Sequence, residues 1–160
     1  MPVSNRIYVD ESGVSQFCFR SHARSLRGKA VHGIIPGKRF ARINVVAGLR
    51  ASDNEILGDY CYTGTMNALR FEEWFCGHLL PSTRRGDVIV MDNASYHNKE
   101  RLAKYAWIYK VTIIFLPPYS PDYSPIENVW ANLKCFLRNY GSRFDGLQVG
   151  IHWYFCVVFS

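Results

Sequence analysis

The sequence predicts a mixed α/β fold whose first half is antiparallel and whose second half is parallel, and three observations carry that expectation. Short apolar runs broken by turn residues fill the first 62 positions, an uninterrupted run V-I-V-M stands at 88–91, and a strand, helix, strand spacing surrounds it. With 160 residues, 48% of them apolar and 20% charged, the chain is long enough for one ordinary domain with a buried core, so residues 1–160 are expected to form a single domain.

The elements follow in order. R-I-Y-V at 6–9 ends in D-E-S-G, a strand followed by a turn, and V-S-Q-F-C-F at 14–19 is placed to pair back on it. R-I-N-V-V-A-G-L at 42–49 reads as a further strand and 55–62 as an edge strand. From Thr65 to Leu80 the apolar positions Met66, Leu69, Phe71, Trp74, Phe75 and Leu79 have helical spacing, stopped by Pro81 and Gly86. D-V-I-V-M-D-N at 87–93 has no polar alternate face, as in a strand covered on both sides. A helical stretch from Asn98 to Tyr109 and a strand V-T-I-I-F-L at 111–116 complete a βαβ unit. Four of the seven prolines fall between Pro117 and Pro125, after which a helix begins with an apolar stripe of Ile126, Val129, Trp130, Leu133, Phe136 and Leu137. An amphipathic helix is expected from about Asp145.

Composition narrows the function. Five cysteines, widely spaced and without a C-x-x-C pair, indicate neither a disulfide framework nor a zinc ribbon. The chain opens on no signal-like segment, and its longest apolar stretch falls short of the roughly 20 residues that span a bilayer, so a soluble protein with no membrane partner is expected. The net charge of +6 is concentrated: Arg20, Arg24, Arg27, Lys29, Lys38, Arg39 and Arg42 lie in a segment without an acid, and the rest of the chain holds 12 basic against 13 acidic residues. Such a basic arm suits a polyanion, nucleic acid first, although a solvated hairpin would read the same way.

Three carboxylates then stand out. Asp10 and Asp92 each close an expected strand, and carboxyl ends of strands are where α/β sheets gather their sites. Side by side, the two would repel unless a hard divalent cation lay between them. Glu11 could take the place of Asp10 if the strand register shifted by one. Glu127 falls on the first turn of the proline-led helix, where Ser124 is a suitable N-cap and Glu127 completes a capping box. Each acid thus has a local structural reading beside the catalytic one. Along the same helix Ala131, Lys134 and Arg138 continue the face of Glu127, which suits a site holding a metal and a phosphate backbone.

Taken together, V-D-E-S, M-D-N-A-S-Y-H and P-P-Y-S-P-D-Y-S-P-I-E-N-V-W, with 34 residues between Asp92 and Glu127, resemble the three-acid core of mariner-superfamily transposases, most closely their bacterial insertion-sequence branch. The resemblance covers roughly residues 6–140. It implies a ribonuclease-H-like mixed sheet flanked by helices, with two Mg²⁺ ions, or Mn²⁺ in their place, held by Asp10, Asp92 and Glu127. In-line displacement at DNA phosphates would cut the element's ends, and the freed 3′-hydroxyl would then attack a TA target. Asn93, His97 and Asn128 match supporting positions, His97 being equally at home as a structural histidine. Tyr96, Tyr119 and Tyr123 read as packing or loop residues. The basic arm with Lys134 and Arg138 would contact double-stranded DNA. Members of the family carry an N-terminal helix-turn-helix region, and here Met1 lies almost on the first strand, so a separately encoded DNA-reading half is expected, as is a homodimer in the bacterial cytoplasm at the nucleoid. The end at Ser160, within a helix, suggests a further C-terminal piece. The alternatives are an inactive, truncated remnant that still binds DNA or full-length transposase, and a structure-selective nuclease on the same fold.

Overall fold

The structure is a computed structural model that describes residues 5–15, 42–117 and 124–159. Strands β1 (Arg6–Ser15), β2 (Arg42–Arg50), β3 (Glu55–Tyr62), β4 (Val88–Met91) and β5 (Thr112–Phe115) form one five-stranded sheet in the order β3-β2-β1-β4-β5. The pairs β1/β2 and β2/β3 are antiparallel, whereas β1/β4 and β4/β5 are parallel, so the sheet has the ribonuclease-H-like layout expected of it. Helices α1 (Ala68–Trp74), α2 (Lys99–Ile108), α3 (Ile126–Tyr140) and α4 (Leu147–Val158) cover its two faces. Among the described residues no helix is long and apolar enough to cross a membrane.

Two apolar cores, one on each face, explain why V-I-V-M is buried throughout. On one face Phe71, Trp74 and Phe75 of the α1 region, with Leu102 and Ala106 of α2, pack on Ile7, Val9, Ile89 and Met91. On the other, Ile126, Val129, Trp130 and Leu133 of α3, with Ile151 and Phe155 of α4, pack on Val14, Val45, Ala47 and Leu49. Each large apolar side chain so buried contributes about 1.5–3 kcal/mol. The apolar stripe read from the α3 sequence is the face that meets this second core.

The α1 region starts where Asn67 accepts the backbone N–H of Arg70 (2.9 Å) and tightens after Trp74 into a π turn over Phe75–Leu79 and a 3₁₀ turn over Leu80–Ser82. It is anchored to edge strand β3 through the Trp74 indole N–H, which donates to the Gly58 carbonyl at 2.6 Å. Gly58 sits where β3 takes an extra residue against β2, at φ +60, with the His78 backbone 3.0 Å from where a Cβ would lie. Only glycine accommodates both that backbone and that approach.

Two expectations are corrected. D-E-S-G is not a turn: β1 runs unbroken from Arg6 to Ser15 and pairs with β2 from Ile7↔Arg50 to Ser15↔Arg42. The cause is a change of buried face. Ile7 and Val9 bury into the α1 side and Val14 into the α3 side, so the apolar alternation breaks between them and imitates a strand end. Asp10 therefore lies within its strand, and the expected hairpin onto residues 14–19 does not form at Val14 and Ser15. Second, α3 opens at Pro125 with no side-chain cap bond, so the capping box of Ser124 and Glu127 is not made; the Glu127 N–H instead meets the Ser124 carbonyl at 3.2 Å. The rest of the hairpin strand, the basic arm up to Arg39, and Tyr119 and Tyr123 lie outside the described residues.

Candidate active site

Residue spacing on adjacent strands builds the site. β1 and β4 pair in parallel at Arg6↔Val88, Ile7↔Ile89 and Tyr8↔Val90, and the same offset continued brings Asp10 level with Asp92 just past the end of β4. Asp92 stands beyond the last residue of β4, and alternation along β1 puts the Asp10 carboxylate on the α3 side of the sheet, because Ile7 and Val9 face the other way. There the indole N–H of Trp130, one turn into α3, donates to Asp10 Oδ2 at 3.0 Å. Trp130 falls three residues after Glu127, so the same helix that fixes Asp10 carries the third acid, exposed on its first turn.

Asp92 is exposed and held from its own loop. Its Oδ1 accepts the Ala94 N–H at 3.4 Å, and His97 Nδ1 lies 3.2 Å from its backbone oxygen and 3.6 Å from Oδ1. The His97 side chain is only 2% exposed, packed against Phe71 with ring centroids 4.3 Å apart, and burial holds its pKa below the ordinary value against the pull of Asp92. A neutral ring whose Nδ1–H serves the Asp92 carbonyl leaves Nε2 as an acceptor, and Nε2 is buried without a partner. His97 therefore braces the Asp92 loop from behind. Asn93 and Asn128 are exposed beside Asp92 and Glu127.

Burial foremost, and then the charges of Asp92 and Glu127, raise the pKa of Asp10 against the opposing hydrogen bonds from the Glu11 backbone and Trp130. Asp10 therefore feels both other acids, yet among the described residues no group of three His, Cys, Asp or Glu is gathered closely enough to hold one metal ion. Drawing three carboxylates together costs repulsion that only a cation offsets. The donor set, all carboxylate oxygen and without an ion-paired Lys or Arg on Asp10 or Glu127 among the described residues, fits a hard divalent ion.

A raised folded-state pKa carries a definite sign. Stability from Asp10 is complete while the group is protonated in both states and is lost as pH rises through its folded pKa. Without divalent ions, Asp10→Asn should therefore melt above the parent protein at pH 7, with the margin shrinking as pH falls into the carboxylate range. Thermal melts in EDTA across that range test this; an equal or lower Tm at neutral pH would show that the burial of Asp10 carries no strain.

Glu11, although adjacent, cannot replace Asp10 because it faces the opposite side of the sheet. It accepts the Tyr62 hydroxyl at Oε2 and the Tyr96 hydroxyl at Oε1 (2.5 Å). Burial first, then these bonds to the carboxylate, raise the pKa of both phenols, which stay protonated donors. Alternation along β1 separates Glu11 from Asp10 in sequence, but nothing in the sequence pairs Glu11 with a tyrosine 51 residues away. Trp130 as a donor was equally hidden within an apolar stripe.

Of the expected DNA contacts, Lys134 and Arg138 lie on the outer side of α3, and Arg42 lies at the exposed start of β2, its Nε donating to Asn44 at 3.1 Å. Arg20, Arg24, Arg27, Lys29, Lys38 and Arg39 lie outside the described residues.

The family described as DDE superfamily endonuclease matches residues 5–148. Among curated proteins, the uncharacterized protein y4pE/y4sA of Sinorhizobium fredii (strain NBRC 101917 / NGR234) is 36% identical over 47 residues, 29% of this chain and 33% of that protein. Among solved structures, a Mos1 transposase paired-end complex with the left transposon end aligns with TM-score 0.71 and 15% identity over 97% of this chain and 48% of that one. A Mos1 mariner paired-end complex with Mn aligns with TM-score 0.72 and 16% identity over 97% of this chain and 49% of that one. The chain thus spans about half the length of the Mos1 chains it matches.

Proposed function

The chain belongs to the DDE superfamily endonucleases, and from that premise we propose that it is the catalytic domain of a transposase that cleaves DNA phosphodiesters and transfers the freed strand. The observation that supports this most directly is the parallel register of β1 and β4, which brings Asp10 level with Asp92, while Asp10 is bonded to Trp130 of the helix that carries Glu127.

In this reading Asp10, Asp92 and Glu127 are the ligands of two divalent ions, Mg²⁺ or Mn²⁺, the second of which is present with the Mos1 neighbour. Bound there, such ions supply activation of the attacking oxygen and stabilisation of the leaving one. The chain's own groups do the holding. Trp130 fixes the orientation of Asp10 by its donor to Oδ2, with the Glu11 backbone as a further hydrogen-bond partner of the carboxylate. His97 and the Ala94 N–H hold the Asp92 loop, and the first turn of a 15-residue helix gives Glu127 a rigid base. Lys134 and Arg138, further along α3, continue from Glu127 to meet a phosphate backbone, with Arg42 and the rest of the basic arm as further contacts. Asn93 and Asn128 flank the acids as supporting polar groups. The proposed substrate class is double-stranded DNA, in keeping with the left transposon end held in the Mos1 paired-end complex, with a TA target, a separately encoded helix-turn-helix half and a homodimer as the remaining parts.

The test is nicking of supercoiled plasmid by the purified chain with Mg²⁺ or Mn²⁺, beside an identically prepared Asp92→Ala protein. Metal-dependent nicking confined to the parent supports the reading. The same background from both overturns autonomous catalysis and leaves the inactive remnant or a missing DNA-reading half.

A further inference from the structure

Glu11 lies beneath the site, and nothing in the proposed chemistry uses it. On the α1 side of the sheet its carboxylate is shared by two tyrosines from distant parts of the chain, Tyr62 at the end of edge strand β3 and Tyr96 in the loop that carries Asp92. The second contact continues towards the site. Tyr96 meets the His97 ring edge-on with centroids 4.6 Å apart, and His97 Nδ1 reaches the Asp92 backbone oxygen at 3.2 Å. Glu11, Tyr96, His97 and Asp92 thus form one chain of contacts. They surround a small cavity of about 30 Å³ whose wall includes Asp10. β4 ends at Met91, so beyond that residue no strand pairing holds Asp92 to β1. Among the described residues, the Glu11 bridge is a side-chain tie across that gap.

We propose that Glu11 is a positioning residue: its carboxylate, clamped between Tyr62 and Tyr96, fixes where the Asp92 loop stands against β1 and so sets the separation of Asp10 from Asp92. The neighbouring acids on β1 then divide the work by face. Asp10 points to the α3 side and Glu11 holds the frame from the other. Because Tyr62 joins from β3, the clamp crosses β2 and makes the outer, antiparallel half of the sheet part of the support for a site at the parallel half.

This inference rests on Asp10 and Asp92 acting as metal ligands, and the experiment separates the two. Calorimetric titration of Mn²⁺ into metal-free protein, without DNA, is compared for the parent chain, Asp92→Ala and the double variant Tyr62→Phe with Tyr96→Phe. The phenylalanines remove two hydroxyls while leaving the charge of Glu11 and the ring packing in place. The expected result is a parent that binds Mn²⁺, an Asp92→Ala protein that does not, and a double variant about tenfold weaker, as for residues that orient metal ligands indirectly, with its thermal midpoint in EDTA within a few degrees of the parent. A purely structural bridge would lower that midpoint without moving the affinity, and parent-like affinity in the double variant overturns the clamp alone. Equal Mn²⁺ binding by the parent and Asp92→Ala overturns the ligand assignment and the clamp with it. Should the double variant fold poorly, Tyr96→Phe, which removes one hydroxyl, is judged by the same shift in affinity.

Discussion

Replacing any one of Asp10, Asp92 or Glu127 by alanine is expected to lower metal-dependent nicking by roughly 10³-fold or more, and replacing all three together should lower it no further. Metal-stabilised charge in the transition state is worth several kcal/mol, and each 1.36 kcal/mol is tenfold in rate. Groups that act as one unit lose nearly everything with the first removal. Asp10 already shows the coupling, since the charges of Asp92 and Glu127 both bear on its protonation. Initial nicking rates of the three single variants and the triple variant, read against a mock preparation, give the comparison. Losses that multiply from one variant to the next would mean that the acids contribute independently, and a shared ion site would be ruled out.

The largest effect on folding should come from Arg50→Ala, at about 3–5 kcal/mol, the cost of removing one partner from a buried ion pair. A domain of this kind has about 5–15 kcal/mol in all. The Arg50 side chain, at the end of β2, is 2% exposed; its Nη1 donates to Glu55, and its Nη2 donates to the Ser82 carbonyl at 2.7 Å and lies 3.5 Å from Asp87. Asp87 is itself 4% exposed, so the variant leaves a buried carboxylate with the Arg84 N–H at 2.8 Å but without the Arg50 cation. Arg50→Lys should recover only part of the loss, since an ammonium group lacks the planar fork that reaches both sides. Urea unfolding with an unchanged slope and a lower midpoint is the expected signature. A loss below about 1 kcal/mol, the range of exposed pairs, would show that water replaces the guanidinium.

That network marks the limit of what the sequence discloses. Arg50, Glu55, Ser82 and Asp87 converge only because β2 and β4 flank β1 and the α1 region returns across their ends. No periodicity encodes such a meeting. Patterns that depend on neighbours in sequence were readable: the βαβ unit around V-I-V-M, the edge position of β3, and the apolar stripe of α3 all follow from local alternation or helical spacing. The failures have equally local causes. D-E-S-G resembles a turn because the strand changes its buried face there, and Ser124 resembles a cap although backbone bonds alone start the helix. At the candidate site, motifs and spacing single out the three proposed acids, whereas they do not single out the groups that contact them. Trp130 had an apolar explanation, and Glu11 and Tyr62 meet across an intervening strand.

The change of buried face along β1 also makes that strand intolerant of miscounting. Its first half is written in phase with one core and its second half in phase with the other, and Asp10 and Glu11 occupy the junction. Substitutions there change chemistry, but insertion or loss of a single residue between Val9 and Val14 would turn one half's apolar side chains towards the wrong core and swap the directions in which the two acids point. The position of the first acid is thus set by arithmetic as much as by residue type. Homologous chains should therefore vary in composition across this stretch while keeping its length, with insertions and deletions confined to the segments outside the sheet.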